Sequence, residues 1–132
     1  KYIADDDMLI TKTPWGEIIA LNIENGKIMW KKPFGYKEIN SKEEKLGTYH
    51  NGGLASTSSG IIFANGTIDS YAIALDSKTG NEIWKYKMDT PGTAQPILFS
   101  YNGKFYVSFV STGLPYYNSV ERDFSIYTFG IK

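Results

Sequence analysis

Two stretches of this chain repeat each other in register. Ile19-Ala20-Leu21-Asn22-Ile23-Glu24-Asn25-Gly26-Lys27-Ile28-Met29-Trp30 aligns with Ile73-Ala74-Leu75-Asp76-Ser77-Lys78-Thr79-Gly80-Asn81-Glu82-Ile83-Trp84 at a constant offset of 54 residues. Each copy reads as an apolar run, a polar turn closed by glycine (Gly26, Gly80), a second apolar run and a terminal tryptophan (Trp30, Trp84). The small Ala20 and Ala74 complement those tryptophans, because an indole ring needs a shallow seat against a neighbouring sheet. A period of this size with several strands per unit specifies propeller blades rather than a helical solenoid. The fold class is therefore all-β, in antiparallel four-stranded blades. At about 40–50 residues per blade, 132 residues supply about three.

The rest of the chain agrees. Aromatic residues make up 15% of it, and β-branched residues are abundant, a mixture that suits half-buried strands. Asn25-Gly26, Asn65-Gly66 and Asn102-Gly103 read as hairpin turns, since both residue types tolerate positive φ. Between such signals lie short apolar runs at Met8–Thr11, Glu17–Leu21, Lys27–Lys31, Gly60–Ala64, Tyr71–Leu75, Glu82–Tyr86, Gln95–Phe99, Lys104–Val110 and Phe124–Phe129. Tyr36–Lys45 is charge-rich with no apolar stripe, and reads as a solvated excursion with at most one helical turn. One partial propeller domain thus spans 1–132, with the tryptophan repeats at 19–30 and 73–84 and closing strands over 95–129.

Composition removes several functions. Fourteen basic residues balance fourteen acidic ones, so no basic stripe is available for nucleic acid. No apolar run approaches the ~20 residues of a membrane-spanning helix. Cysteine is absent, which excludes disulfides, thiolate metal sites and a cysteine nucleophile. The chain opens at Lys1 without a charged-then-apolar leader, and is read as a piece whose upstream part lies elsewhere.

The pattern Ala-x-Asn/Asp-x-x-x-Gly-x-x-x-Trp resembles the tryptophan-docking repeat of the pyrroloquinoline quinone (PQQ) dehydrogenases. Pro14-Trp15-Gly16, Lys32-Pro33-Phe34-Gly35, Gly47 to Gly53 with Ser59 to Ala64, Gln95-Pro96, Asn102 to Val107 and Asp123 to Phe129 are similar to the C-terminal part of these quinoproteins, above all to the membrane-bound glucose dehydrogenase branch. The resemblance implies an eight-bladed propeller of which this chain is the last portion. It implies oxidation of glucose or another sugar or alcohol, with hydride passing to PQQ beside a divalent metal such as Ca or Mg. It also implies a location in the periplasm, or on the periplasmic face of the inner membrane. Relatives carry the acidic metal ligands, the catalytic base and the quinone-binding cation on earlier blades, so this segment alone is expected to lack catalytic residues and metal ligands.

Within the segment, the resemblance places His50, Asn51 and Gly52 in a loop that reaches toward the quinone. Relatives hold an asparagine and then a large residue before the paired glycines, where this chain has His50 and Asn51. Polar donors remain, but the flat stacking surface is missing. His50 is the sole histidine, and on residue chemistry alone it reads equally as a loop residue. Trp30, Trp84, Ala20, Ala74, Gly26 and Gly80 are structural. Asn22 and Asp76 bond their own turns. Asp5-Asp6-Asp7 is a solvated acidic terminus and not a calcium loop. Tyr36, Tyr116 and Tyr117 are packing or rim residues, or line a sugar-accepting mouth. The alternative function is a non-enzymatic scaffold, since propellers with this repeat also bind other proteins. Apolar open faces on the outer blades predict that the remaining blades, or self-association, cover them.

Overall fold

The computed structural model describes residues 11–113 and 124–131. Asp5-Asp6-Asp7, most of the Met8–Thr11 run, Tyr116, Tyr117 and Asp123 lie outside them. Every regular element among the described residues is a strand: β1 (Glu17–Leu21), β2 (Ile28–Pro33), β3 (Lys37–Ile39), β4 (Lys42–Glu44), β5 (Leu54–Ser56), β6 (Ile61–Ala64), β7 (Tyr71–Asp76), β8 (Glu82–Lys87), β9 (Ile97–Tyr101), β10 (Lys104–Ser111) and β11 (Ser125–Ile131). All pairings are antiparallel. One four-stranded blade, β5-β6-β7-β8, stands between a two-stranded sheet, β1-β2, and a three-stranded sheet, β11-β10-β9.

Alternation along β6 and β7 explains why the middle blade is apolar on both faces. Ala64, Ile73 and Leu75 pack with Ile18, Trp30 and Phe34 of the first sheet. Phe63, Ala72 and Ala74 point the other way and pack with Met88, Val107 and Phe109. The outer sheets bury one face each. Ile19, Leu21 and Met29 on the first, and Ile97, Phe99, Tyr101 and Ile126 on the third, stand 41–71% exposed.

The two turns of the repeat are built alike. Gly26 donates to the carbonyl of Asn22 and Gly80 to that of Asp76, each at 2.8 Å. Asn22 Oδ1 accepts from Glu24 N at 2.9 Å, and Asp76 Oδ1 from Lys78 N and Thr79 N at 3.0 and 2.8 Å. The hydroxyl and amide of Thr79 hold the Asp76 carboxyl below the usual carboxylate range. The alanines lie directly across the ladder from the tryptophans of their own sheet, Ala20 from Trp30 and Ala74 from Trp84. The seat of the indole is elsewhere, on the next blade's glycine turn. Trp30 Nε1 donates to the Ser77 carbonyl at 2.8 Å, and a Cβ on Gly80 would lie 2.6 Å from Trp30 Cε3. Gly26 faces open space. Trp84 is half-buried and rests edge-on against Phe129, with ring centroids 4.9 Å apart, beside a 310 Å³ groove between the second and third sheets.

Two expectations fail. Tyr36–Lys45 contains the hairpin β3-β4, closed by Asn40 and Ser41, both with positive φ. Charges alternating on a solvated two-stranded ribbon leave no apolar stripe to announce it. Asn65-Gly66 is not a hairpin turn: it opens the six-residue connection from β6 to β7, and Asn65 is fully buried.

Gly26 and Gly80 share φ +69°, so alanine at either carries the same backbone strain. Only Gly80→Ala also drives a methyl into an indole, and overpacking of this kind costs about 1–3 kcal/mol. Gly80→Ala is expected to lose that much more stability than Gly26→Ala in urea melts. Trp30→Ala is expected to lose about 3–5 kcal/mol and the half-buried Trp84→Ala less. Equal losses within each pair would contradict the docking geometry.

Candidate functional site

Antiparallel connections alternate between the two ends of a blade. The β5–β6 and β7–β8 turns lie at one end, where Ser77 N donates to the Gly60 carbonyl at 2.8 Å. The β6–β7 connection, the chain entering β5 and the chain leaving β8 must then meet at the other. They do: Asn51 N donates to Gly66 O at 2.9 Å, Met88 N to Ser70 O at 3.0 Å, and Thr112 N and Gly113 N to Pro91 O at 3.2 and 2.8 Å. This end carries His50, Asn51 and Gly52, so the sequence-derived site residues share one rim with the loops of both following sheets.

Three glycines with the same physical reason bring the backbones together. A side chain on Gly52 would overlap the Asn65 carbonyl, one on Gly66 would overlap the Gly52 backbone, and one on Gly92 would overlap both Asn65 Nδ2 and the Val110 carbonyl. A Cβ on Gly53 would lie 2.9 Å from Gln95 Cβ, whose amide donates to the Leu54 carbonyl at 2.8 Å. His50 and Asn51 are exposed on this rim. His50 pairs as an isolated bridge with Thr67, and its ring sits 5.3 Å from that of Phe34. Thr90, Ser111, Thr93 and Thr112 link the second and third sheets behind it, with Thr90 Oγ1 and Ser111 Oγ 2.7 Å apart.

Two residues here were not singled out from sequence. Asn65 is fully buried, and neither its Nδ2 nor its Oδ1 has a partner. Asp69 accepts from Thr67 Oγ1 and Tyr71 N through Oδ1 and from Tyr36 N through Oδ2. Burial pushes its carboxyl above the usual range against those donors. Nothing in a periodic pattern distinguishes a buried amide or carboxylate at the start of a connection. Tyr36 packs against Glu82: its hydroxyl donates to that carboxylate at 2.8–2.9 Å, and burial together with the carboxylate pushes its phenol far up.

Among the described residues no cluster of three or more His, Asp or Glu is placed to hold a metal, and no helix is long and apolar enough to cross a membrane. His50 and Asn51 present exposed polar groups on this rim, of a kind that suits one edge of a flat, polar group such as PQQ. They do not enclose it.

The sequence matches a known family. The model of the PQQ glucose/ethanol/alcohol dehydrogenase β-propeller domain matches residues 1–107, and the chain belongs to that family of PQQ-dependent dehydrogenases. It is 30% identical over 114 residues to the glycerol dehydrogenase large subunit of Gluconobacter thailandicus, covering 80% of this chain and 15% of that protein. It is 29% identical over 100 residues to the quinoprotein glucose dehydrogenase of Escherichia coli, covering 70% of this chain and 13% of that one. The quinohemoprotein alcohol dehydrogenase of Comamonas testosteroni superposes with a TM-score of 0.62 over 86% of this chain and 16% of its own, at 21% identity, a likeness of fold. The chain thus spans about 15% of the length of the curated relatives it matches.

Asp69 gives a test of the rim's electrostatics. A carboxyl whose folded pKa lies above its unfolded value binds protons more tightly when folded. The folded state then loses stability as pH rises from the unfolded value near 3.8 through the folded one. Asp69→Asn is expected to remove that component, so the stability difference, wild type minus variant, falls with rising pH in this window. A flat difference would show Asp69 to be unperturbed.

Proposed function

We propose that this chain forms the last blades of a PQQ-dependent dehydrogenase that oxidises a sugar or alcohol, and that its His50–Gly53 rim is one wall of the quinone pocket. The observation that carries the reading is the meeting of His50, Asn51 and Gly52 with the Asn65-Gly66 and Gly92 loops at one end of the blades, in a chain of this family. Relatives named for glycerol and glucose support polyols and sugars as the substrate class.

Each part of the rim has a separate task. The glycines let the rim, the β6–β7 connection and the Gly92 loop pack backbone to backbone, which fixes where His50 and Asn51 stand. His50 and the Asn51 amide offer hydrogen bonds to carboxylates or carbonyls of the quinone, and Phe34 beside the imidazole restrains its ring. PQQ, when bound, supplies the hydride-accepting chemistry that no side chain here can. A divalent cation such as Ca or Mg, the catalytic base and the remaining quinone contacts belong to blades beyond this segment, and the protein works in the periplasm or on its membrane face. Those blades cover the apolar outer faces of the first and third sheets. Expressed alone, the segment is expected to pair through these faces, which light scattering at micromolar concentration would detect as dimers or larger species.

The test is reconstitution of the intact protein with PQQ and calcium or magnesium. Quinone binding with sugar- or alcohol-dependent dye reduction is expected. His50→Ala is expected to weaken PQQ affinity about tenfold, the loss of one hydrogen bond to a charged group, with the melting temperature unchanged. Neither binding nor dye reduction would favour a scaffold that docks other proteins.

A further inference from the structure

The rim is attached to an excursion whose contacts have no part in the reading above. Gly47 N donates to Gly35 O at 3.0 Å and Thr48 N to Phe34 O at 2.8 Å, closing residues 35–47 into a loop on a narrow base. Phe34 N bonds Gly16 O at 2.8 Å and Trp15 N bonds Leu46 O at 3.1 Å, so the base belongs to the first sheet. The rim leaves this base directly, at Tyr49, yet its own hydrogen bonds go to Gly66 and Thr67 of the second sheet. Its placement therefore depends on how the loop is held across the joint between two blades.

The β3-β4 hairpin spans that joint. Lys45 Nζ lies 3.0 Å from Glu82 Oε2, and Lys85 Nζ lies 3.0 Å from Glu43 Oε2 and 4.3 Å from the centre of the Tyr36 ring. Tyr36 and Tyr71 meet edge to face at 5.5 Å. Tyr36 stands at the head of this arrangement, fixed at both ends. Its N–H donates to Asp69, and its hydroxyl donates to Glu82. Asp69 in turn accepts from Thr67, the residue bridged to His50. A continuous path of bonds runs from Glu82 through Tyr36, Asp69 and Thr67 to the rim.

We infer that Tyr36 is a positioning residue for the His50–Gly53 rim, acting through the β3-β4 hairpin as a strap across the blade joint. The surface ion pairs alone would add little, being solvated and screened. The phenol is different, because it is partly buried and donates to a carboxylate, the stronger kind of hydrogen bond. The functional value of this positioning rests on the rim being the quinone wall.

The test is hydrogen exchange by mass spectrometry on the intact protein, with Tyr36→Phe, Glu82→Ala and the double variant. Each single substitution is expected to speed exchange in peptides covering 49–53 by about tenfold and to leave β7 unchanged. The double variant is expected to be no faster than Glu82→Ala alone, since that substitution already removes the acceptor of the Tyr36 hydroxyl together with the Lys45 pair. Unchanged rim exchange in both singles, or equal acceleration in β7, would overturn the strap. A PQQ titration followed by tryptophan fluorescence separates the two readings. Weakened affinity in Tyr36→Phe upholds both. A loosened rim with unchanged affinity upholds the strap and counts against the quinone wall.

Discussion

The joint between blades depends on one contact, the indole of Trp30 lying on the backbone of Gly80 with its N–H on the Ser77 carbonyl. A sheet two strands wide has little core of its own, and β1-β2 is stable only as a cover for β6-β7. Trp30 joins Ile18 and Phe34 in that cover. It also fixes its direction, because an indole needs both a flat seat and an acceptor. Glycine at position 80 serves the turn, through its positive φ, and the seat, through its missing side chain. The same residue pattern therefore encodes a hairpin and the docking of its neighbour.

The repeat also explains what the chain leaves open. Gly26 is a seat with no indole on it, and Trp84 is an indole resting on Phe129 rather than on a glycine turn. Docking runs forward along the chain, with Trp30 on the turn of the next sheet. The unfilled seat at Gly26 marks a side of the first sheet that nothing among the described residues covers. The exposed apolar faces of the outer sheets agree, and so does the fraction of each relative that the chain spans.

Much of this was legible in the sequence. The in-register repeat encodes two hairpins, their Asx-type turns and a common role for the tryptophans, since each feature rests on local chemistry. The β3-β4 hairpin was not legible, because its turn uses Asn40-Ser41 and its strands alternate charges around a single apolar residue, Ile39. Asn65-Gly66 misled for the opposite reason: a strong turn dipeptide was taken up by a loop in which close backbone approach mattered more than strand reversal. The His50, Asn51 and Gly52 rim came from resemblance. Its partners Asn65 and Asp69 share the β6–β7 connection, and Tyr36 reaches Asp69 only across the joint between blades, over a separation that no local pattern records.

The proposed function places the quinone against the His50–Gly53 rim, and the central claim is that PQQ meets the protein there. A crystal structure of the intact protein grown with PQQ and calcium tests it most directly. The account predicts the quinone against the His50–Gly53 rim, with a carboxylate or carbonyl oxygen within hydrogen-bond distance of His50 or Asn51. PQQ bound elsewhere in the propeller, with this rim facing solvent, would contradict it.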